Sequence, residues 1–230
     1  MQETKKILPE GFVFLKDIDP TILSDLRYAK IWNFVGTPVP GYSSENVIMT
    51  QEAALALKKA QEIFRKDGFS LVVYDSYRPQ KASDRFMEWG KDPTDQKMKA
   101  AFYPRVDKAR VHELGYVAQC SGHSRGSTVD VTLIPQGESL KDITVEKRTL
   151  LDGFEICYLN DGTLDMGSSF DLFDKASHFE NEVIDEIYKE KRAYLKEGME
   201  TAGFAPYPEE WWHFSLKNEP FPKTFFDFDI

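Results

Sequence analysis

The sequence predicts an α+β fold: a single domain with a central antiparallel sheet flanked by helices. Three observations predict it. The chain has 230 residues, 41% hydrophobic and 13% aromatic, which suits one domain with a substantial core and excludes disorder of the whole chain. Helical and strand periodicities are both present, but they do not alternate as regular βαβ units. Finally, Asp152-Gly153 and Asp161-Gly162 are turn signals of the kind that join antiparallel strands.

The elements follow in order. Met1–Lys16 reads as an extended lead-in. Residues 31–48, with Gly36, Pro38, Pro40 and Gly41, predict a long irregular loop, a feature that is often functional. Thr50 is suited to cap a helix running to about Lys66, because Ala53, Leu57, Ala60 and Phe64 recur as one apolar stripe. Gly68 stops that helix. Phe69–Tyr77 reads as a buried strand closed by Arg78 and ended by Pro79. Two short helices are expected at Lys81–Gly90 and Thr94–Phe102. Residues 116–134 form a strand region broken at Gly122 and Gly126, in which Val129, Val131 and Leu133 alternate with Asp130 and Thr132. Residues 141–166 read as added strands. A long helix is expected over Glu182–Ala202, with Val183, Ile187, Tyr194 and Met199 on or near its buried face and Gly203 as its cap. The last strand covers about Trp211–Leu216, after Pro206 and Pro208.

Charge narrows the function. Lys+Arg is 29 and Asp+Glu is 38, a net charge of −9, so the basic footprint of a general nucleic-acid binder is missing. A small substrate held by one or two arginines remains compatible. No apolar stretch approaches the ~20 residues that span a bilayer, and Met1–Gly11 holds no signal-type apolar core. The expectation is a cytoplasmic protein, or a periplasmic one where a leader has been cleaved. Cys120 and Cys157 fit free thiols in a reducing compartment, with a single disulfide as the alternative. Oligomeric state is not readable.

One set of residues carries chemistry. Ser121-Gly-His-Ser-Arg-Gly-Ser-Thr-Val-Asp130 places His123 and Asp130 about a glycine-broken turn, and Glu210-Trp-Trp-His213 supplies a second imidazole and a further carboxylate. Two imidazoles and a carboxylate suit Zn²⁺ and leave a fourth position for water, the catalytic form of such a site. Glu210 is the candidate base. On a regular strand residues 210 and 213 face opposite ways, so a bend or bulge is expected where the last strand begins. Arg78 either pairs with Asp75 or presents a fixed charge to an oxyanion. Trp211 and Trp212 read as core aromatics, His112 and His178 as hydrogen-bonded structural residues, and Cys120 as small, partly buried and not a ligand. Taken singly, none of these residues decides the chemistry.

Together with Arg27-Tyr-Ala, Asn33-Phe-Val-Gly36, Gly41-Tyr42, Asp75-Ser-Tyr-Arg-Pro79, Met166-Gly-Ser-Ser-Phe-Asp171, Ser177-His178, Gly203-Phe204, Glu210-Trp-Trp-His-Phe214 and Phe225-Phe-Asp-Phe228, this set resembles the zinc D-alanyl-D-alanine dipeptidases known from vancomycin resistance. Their superfamily includes D-Ala-D-Ala carboxypeptidases, phage endopeptidases and the hedgehog domain. The resemblance implies one Zn²⁺ per chain on His123, Asp130 and His213. It implies Glu210 as general base, Arg78 on the transition state, and Asp171 on the free ammonium group of a small dipeptide. Ser121 and Tyr28 would be wall and hydrogen-bond partners of that substrate, with Tyr42 lining the same pocket. The chain departs from the family pattern at Gly122, where Arg or Ser is common, and at Thr128, where Ala is common. An inserted region at about 135–164 also looks longer than in compact members, placed to reshape or cap the pocket mouth. Two alternatives stay open: a related carboxypeptidase or L,D-endopeptidase, and a zinc-stabilised binding domain without catalysis.

Overall fold

The computed structural model describes residues 7–230, so the first six residues of the expected lead-in lie outside the described residues. In chain order the elements are β1 (Phe12–Phe14), α1 (Leu15–Ile18), β2 (Leu23–Ser24), β3 (Ile48–Thr50), α2 (Gln51–Lys66), β4 (Phe69–Asp75), α3 (Gln80–Lys91), α4 (Lys99–Phe102), β5 (Thr128–Pro135), β6 (Thr144–Thr149), β7 (Glu155–Asn160), α5 (Glu186–Thr201), β8 (Phe204–Tyr207) and β9 (Glu210–Leu216). The central sheet has the order β2-β4-β5-β9-β8. Its pairings are antiparallel except for β2–β4, which is parallel. The predicted antiparallel sheet is therefore mixed at one edge, where β2 is too short to leave a periodic signal.

Helix α2 forms as its sequence dictates. Thr50 Oγ1 accepts the Ala53 N–H at 3.4 Å, and the Ala53, Leu57, Ala60 and Phe64 stripe is fully buried against β4. Helix α5 begins at Glu186, not Glu182, because Asn181 Oδ1 takes the N–H groups of Val183 and Ile184 into a local turn. Its inward stripe runs through Tyr188, Arg192, Leu195 and Met199. Ile187 lies a step round the helix and is 53% exposed, which corrects its expected place on or near the buried face.

Other boundaries also shift. β4 stops at Asp75, so Arg78 lies beyond the strand and does not close it. Of Thr94–Phe102 only α4 is helical. Residues 116–127 are not strand but a loop holding a short 3-10 turn, Gly122–Arg125. At its end Gly126 has φ +82°, and a Cβ there would lie 2.3 Å from the Phe12 ring. Only glycine fits this junction.

The inserted region is a β6–β7 hairpin. Leu150 and Ile156 share a small core with Leu172, Ala176, Val183 and Ile184, and Asp161 receives Arg27 and the Tyr74 hydroxyl. At the opposite end of the chain, Phe226 N–H donates to Ser124 O at 2.8 Å and Phe228 stacks on Tyr77, which straps the 3-10 turn. The register then aligns the chemistry. Asp75 pairs with Asp130 across β4–β5, and Asp130 with His213 across β5–β9, so the three lie in one row across the sheet.

Candidate active site

His123, Asp130 and His213 converge as the sequence predicts. Asp130 and His213 meet through their strand register, while His123 rises from the 3-10 turn, whose first N–H groups are capped when Ser121 Oγ accepts from His123 N at 3.2 Å. Asp130 Oδ1 lies 3.3 Å from His123 Nε2 and 3.1 Å from His213 Nδ1. His123 Nδ1 lies 2.7 Å from Ser76 O. A carbonyl can only accept, so Nδ1 carries the proton and the Nε2 lone pair faces the cluster.

The donor set fits a divalent cation. Buried Asp130 Oδ1 makes no hydrogen bond, although two ring nitrogens face it. Three ligand atoms within 4.8 Å of one another, two from imidazole and one from carboxylate, match zinc's preferences. Burial pushes Asp130 up, but the facing imidazoles more than offset this and hold its carboxyl below the usual range. Burial pushes His213 down, which favours the neutral, ligating imidazole.

Glu210 reaches the same cluster. The β8–β9 register pairs Tyr207 with Glu210 but Pro206 with Phe214, which is the irregularity expected at the start of this strand. It turns Glu210 onto the face of His213, with Oε2 3.4 Å from Nδ1. Burial, followed by the charges of Asp130 and Asp171, raises the Glu210 carboxyl well above its ordinary value.

Arg78 satisfies both of its sequence readings at once. Its Nε and Nη2 donate to Asp75 Oδ2 at 2.9 and 2.8 Å, and its guanidinium lies over the Tyr28 and Phe86 rings. It still lines the cavity, with Nη2 3.9 Å from Asp130 Oδ2. Tyr28 donates to Asp171 Oδ2 at 2.7 Å. Asp171 has φ +61°, the one positive φ among the described non-glycine residues, a conformation that needs outside support. Burial pushes its carboxyl up to about 8, against the hydrogen bond from Tyr28.

These groups share a cavity of about 230 Å³, lined by His123, Asp130, His213, Glu210, Arg78, Asp171, Ser121 and Tyr28, with Phe34, Phe86, residues 115–118 and Tyr207 among its walls. Tyr42 is not on that lining. Its hydroxyl donates to Asp75 Oδ1 at 2.6 Å, so it supports Arg78 from behind, and the expectation that it lines the pocket is corrected. Residues of the 135–164 insertion are likewise not on the lining, so the hairpin does not cap the mouth. Cys120 lines the cavity and is exposed, not partly buried, and both cysteines are free thiols. His112 lies outside the site with Nδ1 2.8 Å from Val117 O. His178 also lies outside, and burial lowers its pKa. The sequence reading missed Tyr207 and the 115–118 wall, which carry no motif, and assigned Asp75 no role beyond pairing with Arg78. Three carboxylates against one arginine make the cavity suited to cations.

Comparison with known proteins adds to this geometry. A family model described as D-ala-D-ala dipeptidase matches residues 9–143 and 156–230, leaving out residues 144–155, which hold β6 and its turn. The chain is similar to the D-alanyl-D-alanine dipeptidase of Streptomyces coelicolor, at 38% identity over 95% of this chain and 98% of that protein. It is also similar to that of Enterococcus faecalis, at 37% identity over 97% and 100%, and to that of Escherichia coli, at 27% over 94% and 87%. Among solved structures, the zinc complex of the vancomycin-resistance D,D-pentapeptidase VanY aligns with a TM-score of 0.42 and 16% identity, over 83% of this chain and 89% of that one.

Proposed function

The chain belongs to the D-Ala-D-Ala dipeptidase family and is a peptidase, and from that premise we propose that it is a zinc enzyme that hydrolyses D-alanyl-D-alanine to two D-alanines. The observation that carries this reading is the convergence of the His123–Asp130–His213 donor set, Glu210, Arg78 and Asp171 on one small cavity. His123, Asp130 and His213 would hold the metal. When bound, the ion supplies Lewis acidity toward a carbonyl oxygen and toward a water molecule.

The chain's own residues do the rest. Glu210 takes the proton of the attacking water and returns it to the leaving amine. Arg78, oriented by Asp75, faces the oxygen on which negative charge develops. Asp171 receives the substrate ammonium group. An ammonium group at Asp171 would offset one of the charges that, after burial, raise Glu210. A blocked amine leaves Asp171 buried and unpaired, which selects against N-substituted chains. The cavity is also smaller than the ~300–1,000 Å³ of pockets for drug-sized ligands, which favours a dipeptide.

The test is release of D-alanine from D-Ala-D-Ala, run beside N-acetyl-D-Ala-D-Ala and L-Ala-L-Ala. Turnover of the free D,D-dipeptide is expected, lost on chelation and restored by zinc. Glu210→Ala should lower it by about 10²–10⁴-fold with metal retained. Equal turnover of the N-acetylated compound would move the assignment to a carboxypeptidase. Bound zinc without turnover of any of these would move it to a binding domain.

A further inference from the structure

Arg192, on the inward stripe of α5, is 1% exposed, and the chemistry above does not use it. Among the described residues no carboxylate lies within ion-pair distance of it. Its guanidinium donates instead from Nε to Met166 O at 2.7 Å, from Nη1 to His178 O at 2.9 Å, and from Nη2 to Ala176 O at 2.8 Å and Ser168 Oγ at 3.1 Å. Burial lowers its pKa, against the more distant charge of Asp165. A buried cation without a counter-ion is an expensive way to stabilise a fold.

All four acceptors belong to one segment, 166–178, and they flank Asp171 on both sides. Met166 and Ser168 precede it, and Ala176 and His178 follow it. One guanidinium therefore clasps the two limbs of the loop that holds Asp171 at φ +61°. The clasp also reaches the opposite wall. Ser168 Oγ accepts from Trp211 Nε1 at 3.1 Å, and Trp211 follows Glu210 in β9.

We propose that Arg192 is a positioning residue for substrate selection: by clasping residues 166–178 and tying them through Ser168 to Trp211, it sets the distance between Asp171 and the Glu210–His213 strand, and so restricts the site to a free dipeptide. This rests on the reading of Asp171 as the ammonium-binding group. The planar fork is essential, because a lysine offers three donors from one point and cannot reach both limbs.

The test uses the full zinc-loaded chain with Arg192→Lys, Ser168→Ala and Asp171→Asn, reading kcat, KM, metal content and the kcat/KM ratio of D-Ala-D-Ala to N-acetyl-D-Ala-D-Ala. Arg192→Lys should raise KM about tenfold or more with kcat changed by no more than about threefold, lower that ratio about tenfold, and leave one zinc per chain. A purely structural role predicts less folded protein but unchanged KM and ratio in the folded fraction, and that result overturns the proposal. If Arg192→Lys does not fold, Ser168→Ala decides: a rise in KM of about threefold or more supports the clasp, and an unchanged KM overturns it. Asp171→Asn separates the two levels. If it raises KM while the other two variants do not, only the clasp fails. If it leaves KM unchanged, the ammonium assignment itself fails and takes the proposal with it.

Discussion

Gly122 and Thr128, two positions that depart from the pattern the sequence resembles, touch each other in the fold. A Cβ at Gly122 would lie 2.6 Å from Thr128 Oγ1, which in turn lies 2.8 Å from Ser215 Oγ. The hydroxyl fills the space a side chain at 122 would need, so the two positions are sterically coupled. Gly122→Ala should therefore cost about 1–3 kcal/mol by overpacking, and Thr128→Ala in the same chain should recover at least half of it. Urea midpoints of the four proteins in a double-mutant cycle measure this, and simple additivity of the two losses would refute it. Asp171 carries a second residue-scale consequence. Its folded carboxyl titrates near 8 because it is buried, while in the unfolded chain it ionises in the ordinary carboxylate range. Between those values the unfolded state binds fewer protons, so this group's stabilising contribution is complete at low pH and is lost as pH rises toward 8. Asparagine avoids that penalty, accepts the Tyr28 hydroxyl, and tolerates a positive φ better than most residues. Asp171→Asn should raise the stability of the metal-free protein at pH 7–8 by roughly 2–4 kcal/mol. The gain should vanish below about pH 4. Denaturant titrations at the two pH values check it, and a gain independent of pH would sink the argument.

At the scale of elements, sequence legibility follows the range of the interaction that fixes each element. Helix α2 was readable because its cap and stripe are local, and the irregularity at Glu210 was readable because a period of two cannot put residues 210 and 213 on one face. The hairpin was readable from Asp152-Gly153, where Gly153 has φ +81°. Asp161-Gly162 misled by half: Gly162 turns the chain, but Asp161 is the anchor for Arg27 and Tyr74, a tertiary role without a local signature. β2 is two residues long and exists only through its parallel pairing with β4. Arg192 was the least legible. It occupies the inward stripe of α5, where a period of 3.6 expects an apolar side chain, and its partners are mostly backbone carbonyls that no residue pattern encodes. The trio proposed to hold the metal was legible as chemistry, because its residue types are specific. Asp75 was legible only as a partner for Arg78; the Tyr42 hydroxyl behind it and the Ser76 carbonyl on His123 were not, since their roles depend on how β4 leaves the sheet.

Considered as a whole, the molecule concentrates carboxylates where it also concentrates order. Asp75, Asp130, Asp171 and Glu210 gather at one end of the central sheet, on the large core cluster and apart from the small one under the hairpin, in a chain already at −9. Without a cation Asp171 and Glu210 work against folding, because burial first, and the neighbouring carboxylates after it, raise their carboxyls. The proposed ligands come from the 3-10 turn, β5 and β9, the last distant in sequence from the other two, and the unfolded chain cannot present them together. Zinc should therefore stabilise the native state by mass action, by about 2.7 kcal/mol at free metal of 100 times its dissociation constant. For a chain of this length that corresponds to roughly 5–10 °C in Tm. Calorimetry of the chelated and zinc-loaded protein measures it. The expected result is a main transition that moves upward with zinc, because β5 and β9, which carry two of the proposed ligands, belong to the sheet over the large core cluster. His123→Ala should abolish most of the zinc-dependent shift, and should also lower the Tm of the chelated protein, because a buried side chain and its bond to Ser76 O are lost. Identical transitions with and without zinc would show that the three donors do not hold a metal, whatever the peptidase activity proves to be.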